Sequence, residues 1–158
     1  MYYIDIKVYI ALTDGPHPAH FIALTLNDPD STASSSNNIE HYTLNVPVLS
    51  RPLVSPIGAG DATSSGFLMS WSDRVKEIGT TQPTSSSSSS STSSSPTTLK
   101  GEVESEVEQL LQAFRWGLSC GGASCMETGN SVFSMSDAMH IYHNIFISKG
   151  IDIDVVGV

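Results

Sequence analysis

The residues best suited to chemistry lie in one run, Pro56-Ile57-Gly58-Ala59-Gly60-Asp61-Ala62-Thr63-Ser64-Ser65-Gly66-Phe67-Leu68. Two glycines around one alanine let the chain turn tightly and bring successive N–H groups together where an amphipathic helix begins. Such N–H groups have no partner within the helix and sit at the positive end of its dipole, which makes an anion site suited to phosphate. A carboxylate at that mouth, Asp61, is favoured in its ionised form and can accept a proton from a hydroxyl held against it. Better-known loops do not match. A Walker A loop requires a lysine that is absent here, and the dinucleotide fingerprint requires a third glycine where Thr63 stands. Neither Ser64 nor Ser65 has the flanking glycines of a nucleophile elbow. The same four residues Gly58 to Asp61 also suit an ordinary strand-to-helix loop with Asp61 as a cap.

The elements that must hold this loop can be read from pattern. Lys7 to Thr13 is a short apolar run rich in β-branched and aromatic residues, read as a buried strand that ends in a turn at Asp14-Gly15-Pro16. His20 to Leu26 reads as a second strand, and Asn27 to Asn38 as the loop after it. His41 to Val48 reads as a third strand, with Pro47 confining its end to an edge or exit. Helical periodicity runs from Ala59 to Ile78 through Ala62, Phe67, Leu68, Trp71 and Val75, with Gly79 as the stop. Residues 80–98 are dominated by serine and cannot bury enough apolar area to offset their ordering entropy, so a disordered insertion is expected there. Helix resumes at Gly101, with Glu102, Glu104, Glu106 and Glu108 crowding its first turns as a solvated face suited to the dipole. It continues through the small residues Ser119 to Ser124, where a helix or a ligand could approach the backbone closely. Ser136 to Phe146 offers a further helix capped by Ser136, and Ile151 to Val156 a last strand.

Composition narrows the function classes. The 158 residues are 39% hydrophobic and only 15% charged, with a formal net charge of −9, so attraction to a phosphate backbone is weak and nucleic acid is not an expected partner. No apolar stretch approaches the roughly 20 residues that span a bilayer, and no membrane association is expected. Cys120 and Cys125 read as reduced thiols, and the chain as cytoplasmic. His140 and His143 are one helical turn apart but show no third ligand, so no metal site is assigned. Met126, Met135 and Met139 read as core filler.

The stretch Ser55 to Leu68 resembles the second signature of the PfkB, or ribokinase-like, family of carbohydrate kinases, a Gly-Ala-Gly-Asp loop followed by small residues and Gly-Phe-Leu. Ile10-Ala11-Leu12-Thr13-Asp14-Gly15 is similar to the family strand that ends in Thr-x-Gly near the nucleotide, and Val46-Pro47-Val48 to the segment leading into the loop. Ala113-Phe114-Arg115-Trp116-Gly117 and Ala123-Ser124-Cys125 resemble the long helix beside the nucleotide. The resemblance implies a three-layer α/β/α (Rossmann-like) sheet and ATP-dependent phosphorylation of a sugar or sugar-phosphate hydroxyl. It makes Asp61 the catalytic base, places the anion hole at the N–H groups of Gly58, Ala59 and Gly60, and sets Thr13 and Gly15 beside the nucleotide, with ATP and Mg2+ as cofactors.

Two departures qualify the resemblance. An aspartate that helps ribokinases hold a monovalent cation is replaced by Ser55, which leans the comparison toward the phosphofructokinase and tagatose-phosphate kinase branch. Family members are about twice as long, and the matching part is their C-terminal, nucleotide-side half. The sugar-binding residues, the lid and the Asn-x-x-Glu motif are not found, and a homodimer is expected only of a full-length form. The whole of 1–158 is therefore read as a partial kinase domain, incomplete or inactive alone. The alternative is a catalytically silent nucleotide-binding or regulatory remnant of the same fold.

Overall fold

The computed structural model describes residues 6–26, 37–79, 105–150 and 153–155. Its elements run β1 (Ile6–Leu12), β2 (Ala19–Leu26), β3 (Asn37–Asn45), α1 (Ala59–Gly79), α2 (Glu106–Ser124), α3 (Met135–Asn144), β4 (Phe146–Lys149) and β5 (Ile153–Val155). The strands form one sheet in the order β1-β2-β3-β4, with β5 also on β3, and each pairing is antiparallel. The two short strands share one side of β3: β4 pairs with Tyr42 to Asn45 and β5 with Asn37 to Ile39.

The side-chain period of two divides the sheet into unlike faces. Tyr9, Ala19, Phe21, Ala23, Tyr42, Leu44 and Ile147 point to the inner face and join a core with Leu110, Leu111, Phe114 and Leu118 of α2 and Ala138 and Ile141 of α3. Phe21 is its centre, 1% exposed, with its ring 6.2 Å from that of Phe114 and 6.1 Å from that of Tyr9. Lys7, on the same face, reaches Glu106 in the first turn of α2 at 2.8 Å.

The outer face is different. Ile6, Val8, Ile10 and Leu12 of β1 and Phe146 of β4 are exposed, and their register neighbours Ile22, Leu24 and Leu26 are half-buried. The expectation of a buried β1 over Lys7 to Thr13 is therefore corrected: β1 is an edge strand, Ile6–Leu12, exposed at every position except half-buried Tyr9, and no described helix lies over its outer side. Helices and strands are mixed as expected, but the described sheet is antiparallel throughout with helices on one face, which departs from the three-layer, Rossmann-like sheet that the resemblance implies.

Boundaries moved where pairing or caps override local composition. β3 starts at Asn37, within the stretch read as loop, because Asn37 to Ile39 pair with β5. It ends at Asn45, two residues before Pro47, which cannot supply a ladder N–H. The cap of α3 is Ser134, not Ser136: the Ser134 hydroxyl accepts from the Asp137 N–H at 3.5 Å. Phe146 leaves that helix to open β4. Among the three methionines read as core, Met126 is buried while Met135 and Met139 are exposed. The serine-rich insertion at 80–98 and the glutamates Glu102 and Glu104 lie outside the described residues.

Candidate functional site

The chain enters α1 through a pinned loop. The N–H groups of Val54 and Ser55 both donate to the carbonyl of Cys125, at 2.8 and 3.1 Å, which ties the segment to the end of α2. The Ser55 hydroxyl accepts from the Ile57 N–H at 3.2 Å. Gly58 then takes φ +85°, a left-handed conformation that side chains disfavour. A Cβ on Gly58 would stand 2.5 Å from the backbone nitrogen of Ser131, itself at φ 57°, so the loop after α2 presses directly on the turn. The Ser131 hydroxyl donates to the Gly58 carbonyl at 3.2 Å.

From there α1 begins. The Ala62 N–H donates to the Gly58 carbonyl at 2.9 Å, and the Ala59 N–H is occupied by the Pro56 carbonyl at 3.2 Å. Among the described residues the N–H groups of Gly58, Gly60 and Asp61 meet no acceptor. Of the three N–H groups expected to form an anion hole, Ala59 is thus already engaged within the turn. Asp61 lies in the first turn with its carboxylate exposed. Its carboxylate accepts no hydrogen bond from a described N–H, so it is a first-turn acid and not a cap.

A cleft of about 370 Å³ opens between the end of β1 and the first three turns of α1, lined by Ala11, Thr13, Gly60, Thr63, Ser64, Phe67 and Leu68. That volume falls within the usual range for small-molecule sites, roughly 300–1,000 Å³. Thr13 and Gly60, remote in sequence, share this cleft. Gly58 and Ala59 stand beside it at the helix start. Asp61 and Gly15 are not among its lining residues; Gly15 occupies the exposed turn after β1, at φ +53°. Ala11, Thr63, Ser64, Phe67 and Leu68 are lining residues not expected from the sequence. The signal was present: Gly60, Thr63, Ser64, Phe67 and Leu68 recur at helical spacing, and Ala11 and Thr13 share one side of a strand.

The small residues of α2 have a definite use. Gly117 faces the Thr63 carbonyl and Phe67, Gly121 faces Ala59 and Thr63, and Gly66 of α1 meets Cys120 and Gly117. Helix α1, not a ligand, is what approaches Ser119 to Ser124 closely. The Thr63 hydroxyl donates to the Ala59 carbonyl at 2.9 Å within this seam. Burial there pushes the Cys120 thiol up to about 11, which leaves it protonated at neutral pH; both cysteines are free.

The donor set of the cleft, backbone N–H groups and hydroxyls at a helix start, suits phosphate oxygens. Among the described residues no three His, Cys, Asp or Glu side chains gather as a metal-binding group. No described helix is long and apolar enough to cross a membrane. In comparison with known proteins, no family model matches the chain and no curated protein matches it.

Proposed function

We propose that the cleft between β1 and α1 receives the phosphates of ATP, and that the chain is the nucleotide-side, C-terminal part of a PfkB-type carbohydrate kinase acting on a sugar or sugar-phosphate hydroxyl. The observation that carries this reading is the meeting of Thr13 with Gly60 in one cleft at the start of a helix whose Gly60 and Asp61 N–H groups are unpartnered among the described residues. The antiparallel β1–β2–β3 meander and the loop pinned by Cys125 and Ser131 set that helix start against the strand end. The apolar outer face of the sheet suits a second helical layer, as a three-layer ribokinase-like fold requires.

In this account the N–H groups of Gly58 and Gly60 stabilise charge on the transferring phosphoryl group, and the Asp61 carboxylate takes the proton from the acceptor hydroxyl. Magnesium bound to the nucleotide supplies neutralisation of the triphosphate. The sugar-reading groups belong to the substrate side, outside the portion of the family that this chain resembles. A second reading, a nucleotide-binding remnant without transfer, is favoured by one observation: Asp61 stands outside the lining of the cleft.

The test is ADP release with Mg2+–ATP and a panel of sugars and sugar phosphates, for the full reading frame that supplies the substrate-side half and for its Asp61→Asn variant. Turnover abolished by Asp61→Asn supports the kinase reading. Turnover indifferent to that substitution overturns it, and saturable nucleotide binding without transfer selects the second reading.

A further inference from the structure

Away from the cleft, on the outer face of the sheet, two histidines meet. His20 of β2 opposes Thr43, and His41 of β3 opposes Ile22, so the two are diagonal neighbours on adjacent strands. Nδ1 of His20 lies 3.0 Å from Nε2 of His41, with ring centroids 5.2 Å apart and 29° between planes. Both rings are half-buried. The backbone of His41 is fixed on both sides: β3 is paired with β2, and its carbonyl accepts the Gly150 N–H at 2.7 Å.

A neutral imidazole offers one N–H and one lone pair, so this contact is satisfied by a single shared proton. The same spacing is close to the bite of a metal chelate. Two nitrogens at about 2.0–2.1 Å from one divalent ion lie about 2.9 Å apart at a right angle and about 3.4 Å apart at the tetrahedral angle. A rotation of the rings with a shift of a few tenths of an ångström would replace the proton by a metal ion. We propose that His20 Nδ1 and His41 Nε2 form a two-nitrogen site for a late first-row divalent cation of the Zn2+ or Cu2+ type, with water completing the coordination.

No competing cation stands among the neighbours on this face in register, Leu12, Ile22, Thr43 and Ser148, and the chain carries a net charge of −9. The ligands come from paired strands, so little backbone freedom is lost when they bind. Such an ion would rivet β2 to β3. The site is independent of the nucleotide reading, since it lies on the opposite face of the sheet from the cleft.

Calorimetric titration of the whole chain with Zn2+ at neutral pH tests this, with thermal unfolding in parallel. The expected result is one equivalent bound and a raised Tm. His20→Asn and His41→Asn should each weaken binding by at least about tenfold while far-UV circular dichroism is unchanged. The double variant His140→Asn/His143→Asn should bind as the parent does. Electron spin resonance of bound Cu2+–iminodiacetate should report two imidazole nitrogens in the parent and one in either single variant of the pair. No binding up to about 1 mM Zn2+, or affinity unchanged in His20→Asn, would overturn the assignment. So would loss of binding in the His140/His143 double variant.

Discussion

Gly58 sets the direction in which the chain enters α1, and it does so by a conformation and a contact that an added Cβ would violate together. Gly58→Ala should destabilise the protein by at least about 2 kcal/mol, read as a lower urea midpoint, because both the left-handed φ and the 2.5 Å approach to Ser131 stand against it. Gly60 is the contrasting case, since a Cβ there meets nothing within 4 Å. Gly60→Ala should leave stability unchanged or raise it by up to about 1 kcal/mol. A midpoint in Gly58→Ala equal to that of Gly60→Ala would contradict the pinned loop. At the far end of the core, the hydrogen bond and ion pair with Lys7 hold the Glu106 carboxyl below the usual carboxylate range. A carboxyl lowered in the folded state adds stability above its unfolded value, and that contribution is lost as pH falls through the folded one. The stability difference between the parent and Lys7→Met should therefore be present at neutral pH and close in acid; both side chains are about half exposed, so it should be small. A difference independent of pH would remove the ion pair from the account.

At the scale of elements, the seam between α1 and α2 is made by residues too small to hold the helices apart. Gly117→Ala places a Cβ 2.5 Å from the Thr63 carbonyl oxygen, a backbone atom that cannot step aside, and should cost about 1–3 kcal/mol. In Gly122→Ala the nearest atom is the terminal Cδ1 of Ile141 at 3.2 Å, which can rotate, so helix propensity should offset the crowding. Thermal unfolding of the pair checks this, and equal losses would argue against a tight seam. The same elements mark what was legible beforehand. β1, β2 and α1 were visible because apolar periodicity and the turn residues Asp14-Gly15 and Gly79 agree on their limits. The short β4 and the early start of β3 were not, because both depend on pairing between residues far apart in sequence. The loop from Gly58 to Asp61 was legible as a helix start. The occupation of the Ala59 N–H by Pro56 and the pressure of Ser131 on Gly58 were not, since they depend on the conformation of the turn and on a loop beyond α2.

For the whole molecule, asymmetry between the two sheet faces is the dominant feature. One face packs its core against the helices, while the other carries Ile6, Val8, Ile10, Leu12 and Phe146 in the open and has no charged residue at its described positions. The isolated chain should bind a hydrophobic dye such as ANS in its native state and associate as concentration rises. Val8→Lys with Ile10→Glu should reduce both while the unfolding midpoint holds; dye binding unchanged by the double substitution would place the apolar surface elsewhere. On the other side of the molecule a helix start and a strand end enclose the cleft proposed for nucleotide phosphates. The most direct test of that site is calorimetric titration with Mg2+–ATP of the parent and of Gly60→Val, which places a side chain at a cleft-lining position where a Cβ meets nothing within 4 Å. Saturable binding by the parent, lost in a folded Gly60→Val, is the predicted result. Absence of binding by the parent, or equal affinity in the two proteins, would contradict a nucleotide-phosphate site at the start of α1.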